Sequence, residues 1–342
     1  MSIWLYSTLN LKGGTLRKLA INAADNASRI VVESNSTLKD VTIAWWSNTS
    51  KKEAFIILDG RQVVLENVSQ SNVNTSRGTI VVIENSTVTM KGTTQLANSE
   101  MEVWHSTLNL NGETSIPGKS FFTTSNLNIA SSGSLTASGS GFSLSDSTLK
   151  ADGPISLAYS RGYTGVNLLD LSGTSKVYLN ADGNTFELAS DHARVCYGYG
   201  SVMLMIKGRT SISLSSYSND DMNWVFQCPS TIEAPINVTG LRMDKNKGNP
   251  GWYDMLIDNK TFLNSTITTD TGSALLMSGT TLKSKAYIKG LKDISYQGGI
   301  SYEAGAKIEV NGVCKKAASS GTYSGSTISH SQEPPSFLTG PC

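Results

Sequence analysis

One arrangement of apolar and polar positions recurs along the chain: two short runs of alternating apolar residues joined by a polar corner. It appears as Ile30-Val-Val-Glu-Ser-Asn-Ser-Thr-Leu38, Phe55-Ile-Ile-Leu-Asp-Gly-Arg-Gln-Val-Val-Leu65 and Ile80-Val-Val-Ile-Glu-Asn-Ser-Thr-Val-Thr-Met90. Further copies begin at Val103, Phe142, Leu168 and Met203. A period of two predicts strands with one buried and one solvated face. Asn, Asp, Gly and Ser suit the corners, since they tolerate left-handed backbone or bond their own main chain. The first apolar residues after successive corners, Leu38, Val64, Val88, Leu108, Leu127, Leu149 and Val177, are 19 to 28 residues apart. That step fits one turn of a β-solenoid, in which each turn pairs with the next and a stack closes a core that no single turn could bury. A β-sandwich is the competing architecture and predicts antiparallel hairpins instead.

The repeat is regular over 1–190 and then interrupted over 191–262, where polar and aromatic segments such as Ser216–Cys228 and Arg242–Asp254 read as loop insertions on solenoid turns. Terminal solenoid turns follow over 263–316, and 317–342 is a Ser/Gly/Pro-rich tail or cap.

Composition sharpens this reading. With 49 Ser, 33 Thr and 31 Gly among 342 residues, the chain favours turns and solvated strand faces over helices, which disfavours a doubly wound enzyme. A net charge of +1 gives no global field toward nucleic acid or anionic lipid, and no 18-residue apolar run predicts membrane insertion. The first ten residues lack the basic start and apolar core of a signal peptide. Four cysteines allow three pairings, of which proximity favours Cys196 with Cys228 and Cys314 with Cys342. Those pairs imply an oxidising compartment; four buried thiols in a cytosolic protein is the alternative. No C-x-x-C pair exists and His105, His192 and His330 are scattered, so no metal or cofactor is expected.

The phrases Ser7-Thr-Leu-Asn-Leu11, Ser86-Thr-Val-Thr-Met90 and Ser106-Thr-Leu-Asn-Leu110, with the Ser/Gly run Ala130–Gly139, resemble passengers of bacterial autotransporter and two-partner-secreted adhesins. The resemblance covers about residues 1–180 and is one of repeat style. It implies an all-β, right-handed parallel β-helix, extracellular or on a Gram-negative cell surface, binding host or bacterial surfaces. A phage tail spike is similar at this level and implies a virion component instead.

Candidate chemistry concentrates in the interrupted zone. Trp224, Trp252, Tyr253 and Tyr217 lie among Asp221, Asp244, Asp254 and Arg242, a mix suited to stacking on sugar rings and bonding their hydroxyls. The bland alternative is that the aromatics pack inserts onto the solenoid. Asp191 and Asp220 join these carboxylates as acid/base candidates, but no spacing marks a catalytic pair. No catalytic residue is assigned, and the enzyme question stays open. Trp45-Trp46 is a second aromatic spot, where strand alternation exposes one ring. Numerous Asn-x-Ser/Thr triplets, including those at Asn35, Asn67 and Asn85, follow from corner composition. The expected function is a β-solenoid adhesin for a cell-surface glycan or protein receptor, with homo-oligomerisation left open; the alternative is a tail-spike-type polysaccharide depolymerase.

Overall fold

The computed structural model describes residues 1–24, 27–46, 52–72, 79–97, 100–117, 119–138, 141–158, 167–182, 186–189, 194–198, 200–209, 212–215, 224–238, 255–257, 261–324 and 336–342. Among them every regular element is a β-strand, and the chain forms a parallel β-solenoid. It divides into two compact units, Met1–Ala158 and Tyr159–Cys342.

In the first unit each turn supplies strands to three stacked parallel sheets. Sheet I contains Thr8–Leu11, Arg29–Val32, Lys52–Ile57, Thr79–Glu84, Glu100–Trp104, Ser120–Thr123 and Phe142–Ser145. Sheet II runs through the first halves of Gly14–Ala23, Ser36–Trp45 and Gln62–Asn72, then through Thr87–Lys91, Thr107–Leu110, Asn126–Ile129 and Thr148–Ala151. Sheet III takes Ser2–Leu5, the second halves of those three long strands, and then Thr93–Ala97, Glu113–Pro117, Ser134–Ser138 and Ile155–Ala158. Inward residues stack in register: Val63, Val88, Leu108, Leu127 and Leu149 form one fully buried column. Each such side chain contributes about 1.5–3 kcal/mol by leaving water. The column passes through Val63 rather than the expected Val64, which faces outward and is half-exposed; Leu38 belongs to the neighbouring column with Leu65.

Two corners repeat with their own chemistry. Between sheets I and II, a residue with positive φ (Asn85, His105, Thr124, Asp146) precedes a buried serine. The Ser86 N–H donates to Ser106 Oγ (3.0 Å), Ser106 N–H to Ser125 Oγ (3.1 Å) and Ser125 N–H to Ser147 Oγ (3.0 Å). Each hydroxyl then donates to the carbonyl two residues before it. Thus the serine of the Asn85-Ser-Thr triplet is a buried ladder residue. Between sheets II and III the early turns bend at Lys18, Asp40 and Asn67, all with positive φ, and later turns use glycine. A Cβ on Gly112 would stand 2.2 Å from the Gly92 carbonyl oxygen, so backbones touch where a side chain cannot fit.

The second unit repeats the parallel arrangement. Its turn length is 27 residues where Leu169 pairs with Cys196 and rises to 31 where Val225 pairs with Leu256. It returns to 19 where Ile257 pairs with Leu276. The expected interruption is therefore lengthened turns whose strands keep pairing. The unit ends in antiparallel strands. Lys307–Val310 and Val313–Ala317 form a hairpin through Asn311 (φ 50°) and Gly312 (φ 74°), the left-handed pair of a two-residue hairpin turn. Phe337–Thr339 then pairs antiparallel with Val313–Ala317, and the Phe337 ring meets Tyr302 edge-on at 5.2 Å. Cys314 and Cys342 lie at disulfide distance, Cα–Cα 5.8 Å, holding this end strand.

Candidate functional site

Of the residues expected to bind a ligand, Trp252, Tyr253, Tyr217, Asp221, Asp244, Asp254 and Arg242 lie outside the described residues. Trp224 lies in the strand Trp224–Gln227, in register with Met255, and so belongs to the ladder rather than to a loop. Nearby, Cys196 and Cys228 lie at disulfide distance, Cα–Cα 5.6 Å, and both are buried between successive turns. Gly198 leaves the space they occupy: a Cβ there would stand 3.3 Å from Cys228 Cβ and 2.5 Å from Val202 Cγ2. Among the described residues no cluster of three His, Cys, Asp or Glu could hold a metal ion.

The outward faces of the first unit differ sharply in charge. On sheet II the outward column runs Arg17, Lys39, Glu66, Lys91. Within it Lys39 Nζ and Glu66 Oε1 lie 2.6 Å apart, and this hydrogen bond and charge raise the Lys39 pKa above its ordinary value. Sheet III presents the opposite surface. Its outward ladder runs Ser2, Ala20, Thr42, Ser69, Gln95 and Ser115 in unbroken register, and continues through Thr136 to Ser156. The adjoining outward column begins Trp4, Asn22, Ala44, Ser71. The eight-rung ladder carries no charged side chain, only hydroxyl, amide and methyl groups; the third outward column of this sheet, Thr93, Glu113 and Ser134, holds one exposed carboxylate, Glu113, which accepts from Thr93 Oγ1 at 3.3 Å.

Two exposed indoles head this face. Trp4 is 59% exposed and Trp46 43% exposed, with ring centroids 6.4 Å apart and planes tilted by 37°. The Trp45-Trp46 alternation resolves as expected: Trp45 is 1% exposed, its Nε1 donating to Gln70 Oε1 at 3.2 Å, while Trp46 faces out. Below the rings, Asn22 Nδ2 donates to Ser2 Oγ at 3.1 Å. An aromatic platform beside rows of small hydrogen-bonding groups can stack on an apolar ring face and bond its hydroxyl edge. Sequence reading found Trp46 but missed this surface, because consecutive members of each row are 18 to 27 residues apart.

The fold defines the chain as an all-β protein of the parallel β-solenoid class. No family model matches it, and neither a curated protein nor a solved structure is significantly similar to it.

Proposed function

We propose that the protein is an adhesin, secreted or displayed on a cell surface, whose solenoid carries a binding face for a glycan or a protein on another surface. The observation that carries this reading is the uncharged ladder from Ser2 to Ser156 on the outward face of sheet III, eight rungs long and headed by exposed Trp4 and Trp46. Flat rows of Ser, Thr, Asn and Gln side chains suit an uncharged, hydroxyl-rich partner, which a charged face would penalise by desolvation. Cysteine pairs at disulfide distance support an oxidising compartment.

The test is binding of the folded protein to cells and to a glycan array. Trp4→Ala, Trp46→Ala and Gln95→Arg should each weaken binding, a lost aromatic anchor costing about 1 kcal/mol or more, roughly fivefold. Wild-type binding by all three would overturn the sheet III assignment. Parallel measurement of Trp224→Ala and Trp252→Ala decides whether the lengthened turns bind instead, and new reducing ends on incubated polysaccharide would assign degradation rather than adhesion.

A further inference from the structure

The second unit carries a sheet whose outward side is built differently from any in the first. Lys176–Asn180, Met203–Lys207, Ser230–Ile232, Phe262–Leu263, Thr281–Leu282 and Ile300–Tyr302 stack in parallel, and one outward row runs Tyr178, Met205, Thr231, Phe262, Thr281, Ser301 in register. Beneath it Ile232, Leu263 and Leu282 are each 1% exposed, so the outward side chains are not needed to fill the core. Phe262 is 39% exposed, and among the described residues of this unit no other aromatic ring is exposed rather than half-buried. The rungs on either side of it, about 4.8 Å away, carry the hydroxyls of Thr231 and Thr281.

A second row lies beside the first, two residues further along each strand and so roughly 6.5 Å away. It holds Lys207, Glu233, Asn264, Lys283 and Glu303. Main-chain bonds keep it in register: Glu233 N–H donates to Ile206 O, Asn264 N–H to Ile232 O, Lys283 N–H to Leu263 O and Glu303 N–H to Leu282 O. Its charges are paired within the row, Lys207 Nζ lying 3.6 Å from Glu233 Oε2 and Lys283 Nζ 2.7 Å from Glu303 Oε1. Glu303 Oε2 also accepts the Ser284 N–H at 3.0 Å. The hydrogen bond from Lys283, and then that from Ser284, hold the Glu303 carboxyl below its ordinary range, so it stays an ionised acceptor. Lys283 Nζ is 5.8 Å from the Phe262 ring centroid. The ring therefore stands on the Asn264 rung, between two ion pairs whose charges cancel.

Cancelled charge offers a charged guest no net attraction to offset its desolvation. A guest with one apolar face and a hydroxyl edge meets a ring, two hydroxyls, an amide, and a donor beside an acceptor. We propose that Phe262, Thr231, Thr281, Asn264, Lys283 and Glu303 form a subsite for one neutral hexose ring. Its C–H face lies on the phenyl ring, and its hydroxyls bond the Asn264 amide and the Lys283–Glu303 pair. A single aromatic rung limits the subsite to one sugar ring. The inference goes beyond the sheet III reading and stands without it, since it uses only residues of the second unit.

Saturation-transfer NMR on the full chain tests it with the methyl glycosides of glucose, galactose and mannose, each beside its uronic acid counterpart. At least one neutral glycoside should show transfer to its ring C–H protons, and its uronate should bind several-fold more weakly. Phe262→Ala should weaken binding at least fivefold, and Phe262→Trp should retain it. Glu303→Gln, which keeps both the ring and the backbone register, should weaken binding with little change in melting. Wild-type binding by Phe262→Ala or by Glu303→Gln would overturn the subsite, as would a uronate bound as tightly as its neutral counterpart. No transfer to any of the three neutral glycosides would overturn it as well. Should Phe262→Ala melt early, Phe262→Trp and Glu303→Gln decide the matter on folded protein.

Discussion

Replacing Ser106 by alanine should open the corner between sheets I and II one turn away from the substitution. The Ser106 hydroxyl accepts the Ser86 N–H at 3.0 Å and donates to Trp104 O at 2.6 Å. Alanine keeps the Ser106 N–H, which still donates to Ser125 Oγ, and Trp104 O still accepts the Asn85 N–H at 3.0 Å. What is orphaned is the Ser86 N–H, in a corner where Ser86 and Ser106 are both buried. A buried donor without a partner costs about 1–3 kcal/mol. Because a solenoid's stability is a sum over neighbouring turns, that cost should appear locally rather than as a uniform loss. Hydrogen exchange across Glu84–Met90 should therefore speed roughly 5- to 150-fold at the Ser86 amide. Outward Ser115→Ala should remain within about 0.5 kcal/mol of wild type. An equally protected Ser86 amide in the Ser106→Ala protein would refute the ladder as a source of stability.

Gly112→Ala should lower the melting temperature by several degrees, because its Cβ would meet the Gly92 carbonyl at 2.2 Å, while Gly340→Ala, with open space, should not; equal melting would refute the close approach. Joint Cys196→Ser and Cys228→Ser replacement should cost about 3–4 kcal/mol for a loop of 32 residues, read by melting with and without reductant. Tyr287 should resist ionisation in a 295 nm titration compared with Tyr287→Phe: burial first, and then its hydrogen bond to Glu309, push its pKa up to about 12. A raised acid pKa means that this contribution to stability is complete below about pH 10 and is lost as pH rises through about 12.

The alternation of apolar residues made the strands legible, and cysteine spacing made the pairings legible, since each depends on residues close in sequence. Register was less so: Val63 and Val64 are both β-branched and apolar, and only stacking between Ser36 and Val88 decides which faces inward. The Ser-Thr phrases before sheet II strands were visible, yet their meaning lies in bonds to another turn about 20 residues away. Asn311-Gly312 carries the sequence signal of a two-residue hairpin turn, but the parallel repeat that precedes it masks the change to antiparallel pairing. The proposed binding face was hidden for the same reason as the serine ladder: it exists as a surface only after turns stack.

Whether the uncharged ladder serves binding or only folding can be decided, because the solenoid itself tolerates charge on an outward column. Lys39 and Glu66 occupy paired positions on sheet II, and Thr42 and Ser69 occupy equivalent paired positions on sheet III, three residues further along the same two strands. Thr42→Lys with Ser69→Glu therefore transplants the ion pair to the uncharged ladder. Exposed pairs contribute little, about 0–1 kcal/mol, so melting should hardly change. Both partners remain solvated and in register, giving no reason for the core beneath, at Val41, Ile43 and Val68, to move. A hydroxyl-bearing ligand seated on that face would lose two neighbouring hydroxyl partners of one row and meet two charges needing desolvation, so cell or glycan binding should fall at least fivefold. Unchanged melting with lost binding assigns the face to recognition. If melting collapses instead, freedom from charge is a condition of folding there, and the adhesin reading loses the observation on which it stands.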